Sequence, residues 1–186
     1  MLETFSAIDR DLLLFINGLN APFLDTVMLT ISSKLGWLLL YVILLYVIIR
    51  DFKKKSWLVL LLVAFTILIS DQSSVHLFKN VFQRLRPCHD EGLAAQLHMV
   101  KYCGGKFGFV SSHAANSVAL SAFLMLLLRK RHSWIIPVMV IYSVLIMYSR
   151  VYLGVHYPGD VIGGAILGII IGWCCYQLFK LINKRI

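Results

Sequence analysis

The chain has 186 residues, of which 59% are hydrophobic and 15% are charged, and its mean hydropathy is +0.80. A soluble domain could not cover itself with so little polar surface, so the composition excludes a soluble protein and predicts an integral membrane protein of one domain, residues 1–186. The net charge of +9 does not indicate a nucleic-acid partner, because much of it lies in short loops between apolar runs.

The apolar runs predict an all-α bundle of about six membrane helices. The first run begins amphipathic and breaks at 18–22, so it either spans the membrane or lies partly in the interface. The shorter runs must tilt or borrow flanking residues to cross a hydrocarbon core of about 30 Å. No basic leader with a cleavage site opens the chain, so we expect no removable signal peptide. The predicted helices cover roughly 8–31, 36–49, 57–78, 112–128, 134–148 and 158–179.

Three basic clusters predict the orientation of the bundle. Residues 50–55, 129–131 and 180–185 follow the second, fourth and sixth helices, so they share one side, which the positive-inside rule makes cytoplasmic. The loop 79–111 and the turn 149–157 then face the periplasm or exterior of a bacterial plasma membrane. This loop is itself rich in cations, which favours an anion-binding role: Lys79, Arg84, Arg86, Lys101 and Lys106.

Small residues and cysteines have structural interpretations. Gly164, Gly168 and Gly172 recur every four residues, which predicts close packing of the last helix against a neighbour. Cys88 and Cys103 lie in one loop and can form a disulfide in an oxidising compartment, but the sequence leaves their pairing open. Because the sequence shows no metal-ligand spacing, we expect neither a metal nor a cofactor.

Two cations stand on the first of three polar motifs. Lys79 and Arg86 are seven residues apart, so on a continuous helix both would project from one face, although Pro87 disfavours helical geometry at Arg86. Two long cations suit a doubly charged phosphate. The alternative is that both side chains snorkel at the membrane edge.

The second motif lies where the loop becomes the fourth helix. Ser111 and Ser112 can cap this helix, and its free N–H groups and dipole also favour a bound anion, with His113 in the first turn.

The third motif precedes the last helix. His156 and Asp160 are spaced i, i+4, so the carboxylate can fix the imidazole tautomer and leave the other nitrogen free to attack. Arg150 supplies a further phosphate ligand. A helix-capping ion pair is the alternative for His156 and Asp160 alone.

Together the three motifs resemble the type 2 phosphatidic acid phosphatase family, the lipid phosphate phosphatases. The family signature is Lys-x6-Arg-Pro, then Pro-Ser-Gly-His, then Ser-Arg-x5-His-x3-Asp. Residues 79–87 match the first part completely and residues 149–160 match the third. In the second part, residues 110–113, Val110 and Ser112 replace the Pro and the Gly.

The resemblance implies a role for each motif residue. His156 would be the nucleophile that becomes a phosphohistidine, Asp160 would orient it, and His113 would protonate the leaving group and later activate water. The remaining motif residues would bind the phosphoryl oxygens: Lys79, Arg86, Ser111, Ser112 and Arg150.

We therefore expect a membrane-embedded lipid phosphatase whose substrate keeps its tail in the bilayer. The substrates we expect are undecaprenyl diphosphate or lipid A, followed by phosphatidylglycerol phosphate or phosphatidic acid. Lys101 and Lys106 would suit a second phosphate. Two alternatives are a vanadium haloperoxidase, against which the apolar composition argues, and a non-catalytic lipid-phosphate binding or transport protein, which would not need the two histidines. The sequence does not indicate an oligomeric state.

Overall fold

The computed structural model describes residues 2–100 and 103–184, and these residues are predominantly helical. The chain begins with α1 (Leu2–Gly18), α2 (Pro22–Ser32), α3 (Leu38–Phe52) and α4 (Ser56–Ser73). A π-helical segment (Ser74–Lys79) extends α4 into the short α5 (Asn80–Phe82). After the short α6 (Glu91–Ala94) come α7 (Ser112–Leu128), α8 (Ile135–Tyr152) and α9 (Pro158–Asn183).

The first predicted helix is two helices. α1 and α2 meet at an angle of 117°, because the chain leaves helical geometry at Ala21 and Pro22 opens the new helix. The bend wraps around the end of α8: the Asn17 amide donates to the Tyr152 carbonyl at 2.7 Å, and the Tyr152 hydroxyl donates to Asp25 at 2.8 Å. The amphipathic start of the sequence therefore packs against the C-terminal end of α8.

The helices α3 and α4 form a hairpin. Lys53, between the two helices, has a φ of +48°, and the chain reverses its direction there. The rest of the stretch Leu35–Phe82 is helical. Both legs line one cavity, with Ile48 and Leu60 near the turn. By length and apolarity three stretches qualify as membrane spans, or four with the bent pair. Six helices were predicted from the sequence. The number differs because α3 and α4 count as one stretch and because α7, with 17 residues, is too short to qualify.

The core of the bundle is the contact between α7 and α9. A Cβ atom on Gly164, Gly168 or Gly172 would lie 2.6 Å from a backbone carbonyl oxygen of α7. Only glycine permits this approach, which confirms the predicted packing role of the three residues. Because α9 lies so close to α7, the first turns of the two helices meet at one end of the bundle.

The basic clusters meet at the opposite end. Arg131 donates to the Asp51 carbonyl at 3.0 Å, His132 lies 2.7 Å from the Asp51 carboxylate, and Lys55 donates to Asn183 at 3.0 Å. The turns after α3 and α7 and the end of α9 therefore share one end, as the basic pattern predicts. Arg185 lies outside the described residues.

Candidate active site

The three polar motifs converge at the end of the bundle away from the basic clusters. Lys79 ends the π segment that extends α4. Ser111 occupies the N-cap position of α7 without a side-chain capping bond, and Arg150 lies in the last turn of α8. His156 lies in the turn before α9, and Asp160 lies in its first turn.

His156 and Asp160 form a buried pair. The imidazole Nδ1 lies 3.3 Å from Asp160 Oδ2, and the side chains are 1% and 0% exposed. The same carboxylate oxygen accepts the Tyr157 backbone N–H at 3.2 Å, which caps α9. Because a carboxylate accepts hydrogen bonds, the neutral ring donates from Nδ1 and keeps its lone pair on Nε2. The pair can therefore present a nucleophilic nitrogen.

Arg84 holds the other oxygen of this carboxylate. Its Nη1 donates to Asp160 Oδ1 at 2.8 Å and its Nη2 donates to Asp9 Oδ2 at 2.6 Å, while its guanidinium lies 4.1 Å from the Tyr157 ring centroid. Asp9 Oδ1 in turn accepts the Gly159 backbone N–H at 2.7 Å. The amphipathic α1 thus contributes a carboxylate that fixes both Arg84 and the start of α9.

Arg86 is held on a short extended segment. Its backbone N–H donates to the Lys106 carbonyl at 3.1 Å, and its guanidinium donates to the Cys103 and Phe107 carbonyls, each at 3.3 Å. Gly108 is packed so tightly between Arg86 and Asp160 that a Cβ atom there would lie 2.8 Å from Asp160 Oδ2. The helical segment that follows Lys79 ends at Phe82, and Gln83 is left-handed, so Lys79 and Arg86 do not share the face that a continuous helix would give them.

A disulfide closes the loop that carries Arg86. Cys88 and Cys103 are bonded, with their Cα atoms 6.0 Å apart. The bond lies one residue beyond Pro87, so it restrains the segment just after the first motif. The pairing that the sequence left open is thus present in the structure.

Two serines surround Lys79. The Lys79 ammonium donates to Ser112 Oγ at 2.5 Å, and Ser74 Oγ lies 2.6 Å from the same hydroxyl. Ser74 had no role in the sequence motifs, and the π-helical segment is what places it beside α7. Ser111 Oγ is fully buried and has no hydrogen-bond partner among the described residues, although its backbone N–H donates to the Asp160 carbonyl at 2.9 Å.

The Arg150 side chain is also buried. Its Nη1 donates to Ser32 Oγ at the end of α2, and its buried Nε has no partner within the described part of the chain. Buried polar atoms are normally satisfied. The Nε of Arg150 and the hydroxyl of Ser111 are therefore available to donate to an anion.

Cations set the protonation state of His156. Burial, together with the positive charges of Arg86, Arg150, Lys79 and Arg84, holds the pKa of the His156 imidazole well below its usual range. The ring is therefore neutral at physiological pH, which is the state that can attack a phosphorus atom.

His113 stands at the mouth of a large cavity. The cavity has a volume of about 790 Å³ and runs between the α3–α4 hairpin and helices α7 and α8. Ser112 and His113 line it together with other polar residues such as Asp71 and Asn116, and most of the other lining residues are aliphatic or aromatic. Because Ser112 and His113 belong to the second motif, a lipid chain held in this cavity would bring its phosphate next to the motif residues.

The structure shows no phosphate-binding contact for Lys106, one of the two loop cations proposed for a second phosphate. Lys106 is exposed, and its ammonium group lies 5.9 Å from the Phe107 ring centroid. Lys101 lies outside the described residues.

Arg84, which the sequence suggests as an anion ligand, instead pairs with two carboxylates. Three further residues that support the motifs have no signal in the sequence: Asp9, Ser74 and Ser32. Asp9 stood among the polar residues of an amphipathic start, and only the fold brings that helix to Arg84. Within residues 2–100 and 103–184, no group of three His, Cys, Asp or Glu side chains could hold a metal ion. The positive groups at the site are cationic side chains and the N-terminus of α7.

Comparisons with known proteins agree with this geometry. The model of the PAP2 superfamily matches residues 37–184. A lipid A 4'-phosphatase from Bacteroides thetaiotaomicron is 39% identical over 189 residues, covering 100% of this chain and 83% of the relative. A second lipid A 4'-phosphatase, from Porphyromonas gingivalis, is 32% identical over 99% of this chain and 78% of its own length.

A solved structure shares the fold. The transmembrane PAP2-type phosphatidylglycerolphosphate phosphatase from Bacillus subtilis superposes with a TM-score of 0.68 at 25% identity, covering 98% of this chain and 88% of the other. With two complete motifs joined in one buried cluster, the chain belongs to the PAP2 superfamily and is a membrane-embedded lipid phosphatase.

Proposed function

We propose that this protein removes a phosphate from a phosphorylated, acylated amino-sugar lipid of the lipid A type, through a phosphohistidine on His156. The observation that carries the proposal is the neutral, buried His156, held by Asp160 in a cluster of cations. The substrate class is supported by two relatives that act on lipid A and that align with nearly the whole chain.

The reaction begins with attack on the phosphate. Nε2 of His156 forms a bond to phosphorus as the bond from phosphorus to the ester oxygen breaks, and His113 gives its proton to that oxygen. The leaving lipid is thereby released as an alcohol, and the phosphoryl group stays on His156. His113 is suited to this role because its exposed side chain lines the cavity that would hold the lipid.

Hydrolysis of the intermediate completes the cycle. Neutral His113 takes a proton from water, the water oxygen bonds to phosphorus, and the bond from phosphorus to Nε2 breaks. Inorganic phosphate leaves and His156 returns to its starting state. Throughout, positive groups stabilise the negative phosphoryl oxygens, which is the main demand of phosphoryl transfer. Those groups are Lys79, Arg86, Arg150 and the N-terminus of α7, with the hydroxyls of Ser111 and Ser112.

The site is proposed to face the periplasm or the exterior. Two observations support this orientation. The basic clusters lie at the opposite end of the bundle, and cytoplasmic loops carry such an excess of Lys and Arg. The bond between Cys88 and Cys103 lies at the end with the site, and disulfides persist in oxidising compartments.

The decisive experiment is phosphate release by purified protein, with EDTA present, from lipid A, undecaprenyl diphosphate and phosphatidylglycerol phosphate. We expect the fastest release from lipid A, inhibition by vanadate, and a ³²P-labelled protein that is stable in alkali and labile in acid. His156→Asn should lower kcat by at least about 10³-fold, as removal of a nucleophile does in other hydrolases, and should form no labelled protein.

Each alternative predicts a different result. Faster release from undecaprenyl diphosphate or phosphatidylglycerol phosphate would replace the substrate assignment but keep the mechanism. Activity of His156→Asn within about tenfold of wild type, a loss of only ~1.4 kcal/mol, would remove the nucleophile assignment. Binding of all three lipids without release would identify a lipid-phosphate carrier. Dependence on added Mg²⁺ would contradict a mechanism built on cationic side chains.

A further inference from the structure

Asp71 on α4 and Asn116 on α7 lie side by side in the wall of the cavity, about one helical turn from Ser112. The Asn116 Nδ2 donates to Asp71 Oδ1 at 3.3 Å, and both residues line the cavity. Because a carboxylate accepts hydrogen bonds, the amide nitrogen must point to Asp71. The Asn116 Oδ1 is buried and has no hydrogen-bond partner among the described residues.

The depth of this pair follows from helix geometry. Asn116 is four residues after Ser112, and Asp71 is three residues before Ser74, whose hydroxyl lies 2.6 Å from that of Ser112. At 1.5 Å of rise per residue, the pair lies about 5–6 Å deeper in the bundle than the two serines. This distance spans a few covalent bonds of a bound lipid.

The unpartnered atoms change character over this distance. Among the motif residues they are Arg150 Nε and Ser111 Oγ, which can donate to phosphate oxygens. One turn deeper, the unpartnered atoms among the described residues are the Ser70 hydroxyl, which does not line the cavity, and the Asn116 carbonyl oxygen. This oxygen lies beside the Asp71 carboxylate, and both can only accept. Deeper still, the cavity is lined mainly by apolar side chains such as Leu68 and Leu120. A ligand that satisfies all three levels has a phosphate, then a hydrogen-bond donor, then an acyl chain.

We infer that Asp71 and Asn116 bind a hydroxyl or amide N–H carried by the lipid within a few bonds of its scissile phosphate. This inference rests on the proposed function, because it assumes that the phosphate occupies the motif site. Amino-sugar lipids carry such donors as ring hydroxyls and amide groups. Polyprenyl diphosphates and phosphatidic acids carry neither, so they would leave the buried acceptors unpaired, and sites built to pair a donor discriminate strongly against ligands that lack it.

The test compares a donor-bearing with a donor-free substrate on the same variants. Asn116→Leu keeps the side-chain size but removes the amide, and Asp71→Asn keeps the shape but removes the charge. We expect each variant to lower kcat/KM for lipid A by at least tenfold. For whichever of undecaprenyl diphosphate and dioctanoyl phosphatidic acid wild type hydrolyses faster, kcat/KM should stay within threefold. The inhibition constant of vanadate, which needs only the phosphate site, should also stay within threefold.

A matched control is Ser117→Ala, which alters the residue next to Asn116 in the same cavity. Its hydroxyl already donates to the Ala114 carbonyl at 3.1 Å, so we expect no change in the preference between the substrates. Equal losses for both substrates and for vanadate would show that the pair only holds α4 against α7, and unchanged kcat/KM for lipid A would also overturn the inference. If wild type itself releases no phosphate from lipid A, the proposed substrate fails first, and that result is seen before any variant is made.

Discussion

Arg84 and His156 bind opposite oxygens of one buried carboxylate, that of Asp160, at 2.8 Å and 3.3 Å. The charge-assisted bond from Arg84 favours the ionised carboxylate, which then accepts the Nδ1–H of His156. Arg84 is fixed in turn by Asp9 at 2.6 Å. A chain of contacts therefore links α1 to the proposed nucleophile, and Arg84 is best described as a positioning residue.

Removing Arg84 should slow catalysis without destroying the fold. A hydrogen bond to a charged group contributes about 1.5–3 kcal/mol, so we expect Arg84→Met to lower kcat roughly 10- to 100-fold. Asp9→Asn should have a smaller effect, and the double variant should be no worse than Arg84→Met alone, because both changes break one chain of contacts. Exposed Lys106→Met is the matched control, with kcat expected within twofold of wild type. Strictly additive losses would mean that Asp9 acts elsewhere.

The pH dependence of kcat/KM should report the cations around His156. Burial and four positive charges hold the pKa of this imidazole below its ordinary value, so loss of activity by its protonation should occur below pH 6.5. Arg84→Met removes one of those charges and leaves the Asp160 charge less compensated. Both changes favour the imidazolium, so the acidic limb should move to higher pH. The ionisation of the substrate phosphate is common to both proteins, so an unchanged or lowered midpoint in the variant would contradict the electrostatic assignment.

The sequence predicted the motif residues because their chemistry is local. The i, i+4 spacing of His156 and Asp160 predicts their contact if a helix includes both; His156 instead lies just before α9, yet the capping turn still brings the two together. The glycine spacing of α9 likewise predicts its close contact with α7. The contacts of Arg84, in contrast, could not be predicted from local spacing. Its partners are 75 and 76 residues away, and no periodicity links a loop cation to an amphipathic helix at the start of the chain. The relative positions of Lys79 and Arg86 could not be predicted from the sequence either, because they depend on a non-helical turn after Phe82.

The disulfide should stabilise the loop between Cys88 and Cys103. Cys88 and Cys103 are 15 positions apart, and for a loop of this length loop-closure entropy predicts a contribution of about 3 kcal/mol. We expect the double variant Cys88→Ser/Cys103→Ser to melt at a lower temperature, and its activity to fall because Arg86 donates to the Cys103 carbonyl. Reductant should lower the melting temperature of wild type and of the control Cys174→Ser, but should not affect the double variant. A double variant as stable as wild type would show that the loop is held by other contacts.

The orientation of the bundle can be tested by cysteine labelling in intact cells. Cys174 and Cys175 are first replaced by serine, while the Cys88–Cys103 disulfide, which does not react with maleimides, is kept. Reporter cysteines are then introduced as Gln96→Cys in the outer loop and as Lys130→Cys in the turn after α7, both of which are exposed positions. Because the basic residues cluster at the end with Lys130, we expect a membrane-impermeant maleimide to label only Gln96→Cys.

The parent without a reporter measures background labelling, and permeabilised cells should label both positions, which shows that each thiol is reactive. Labelling of Lys130→Cys but not of Gln96→Cys would reverse the bundle. The motif residues would then face the cytoplasm, where disulfides are rare, and the substrate would have to come from the inner leaflet. That result would exclude an envelope lipid in the outer leaflet as the substrate, yet leave the pairing of His156 with Asp160 and the reaction itself unchanged.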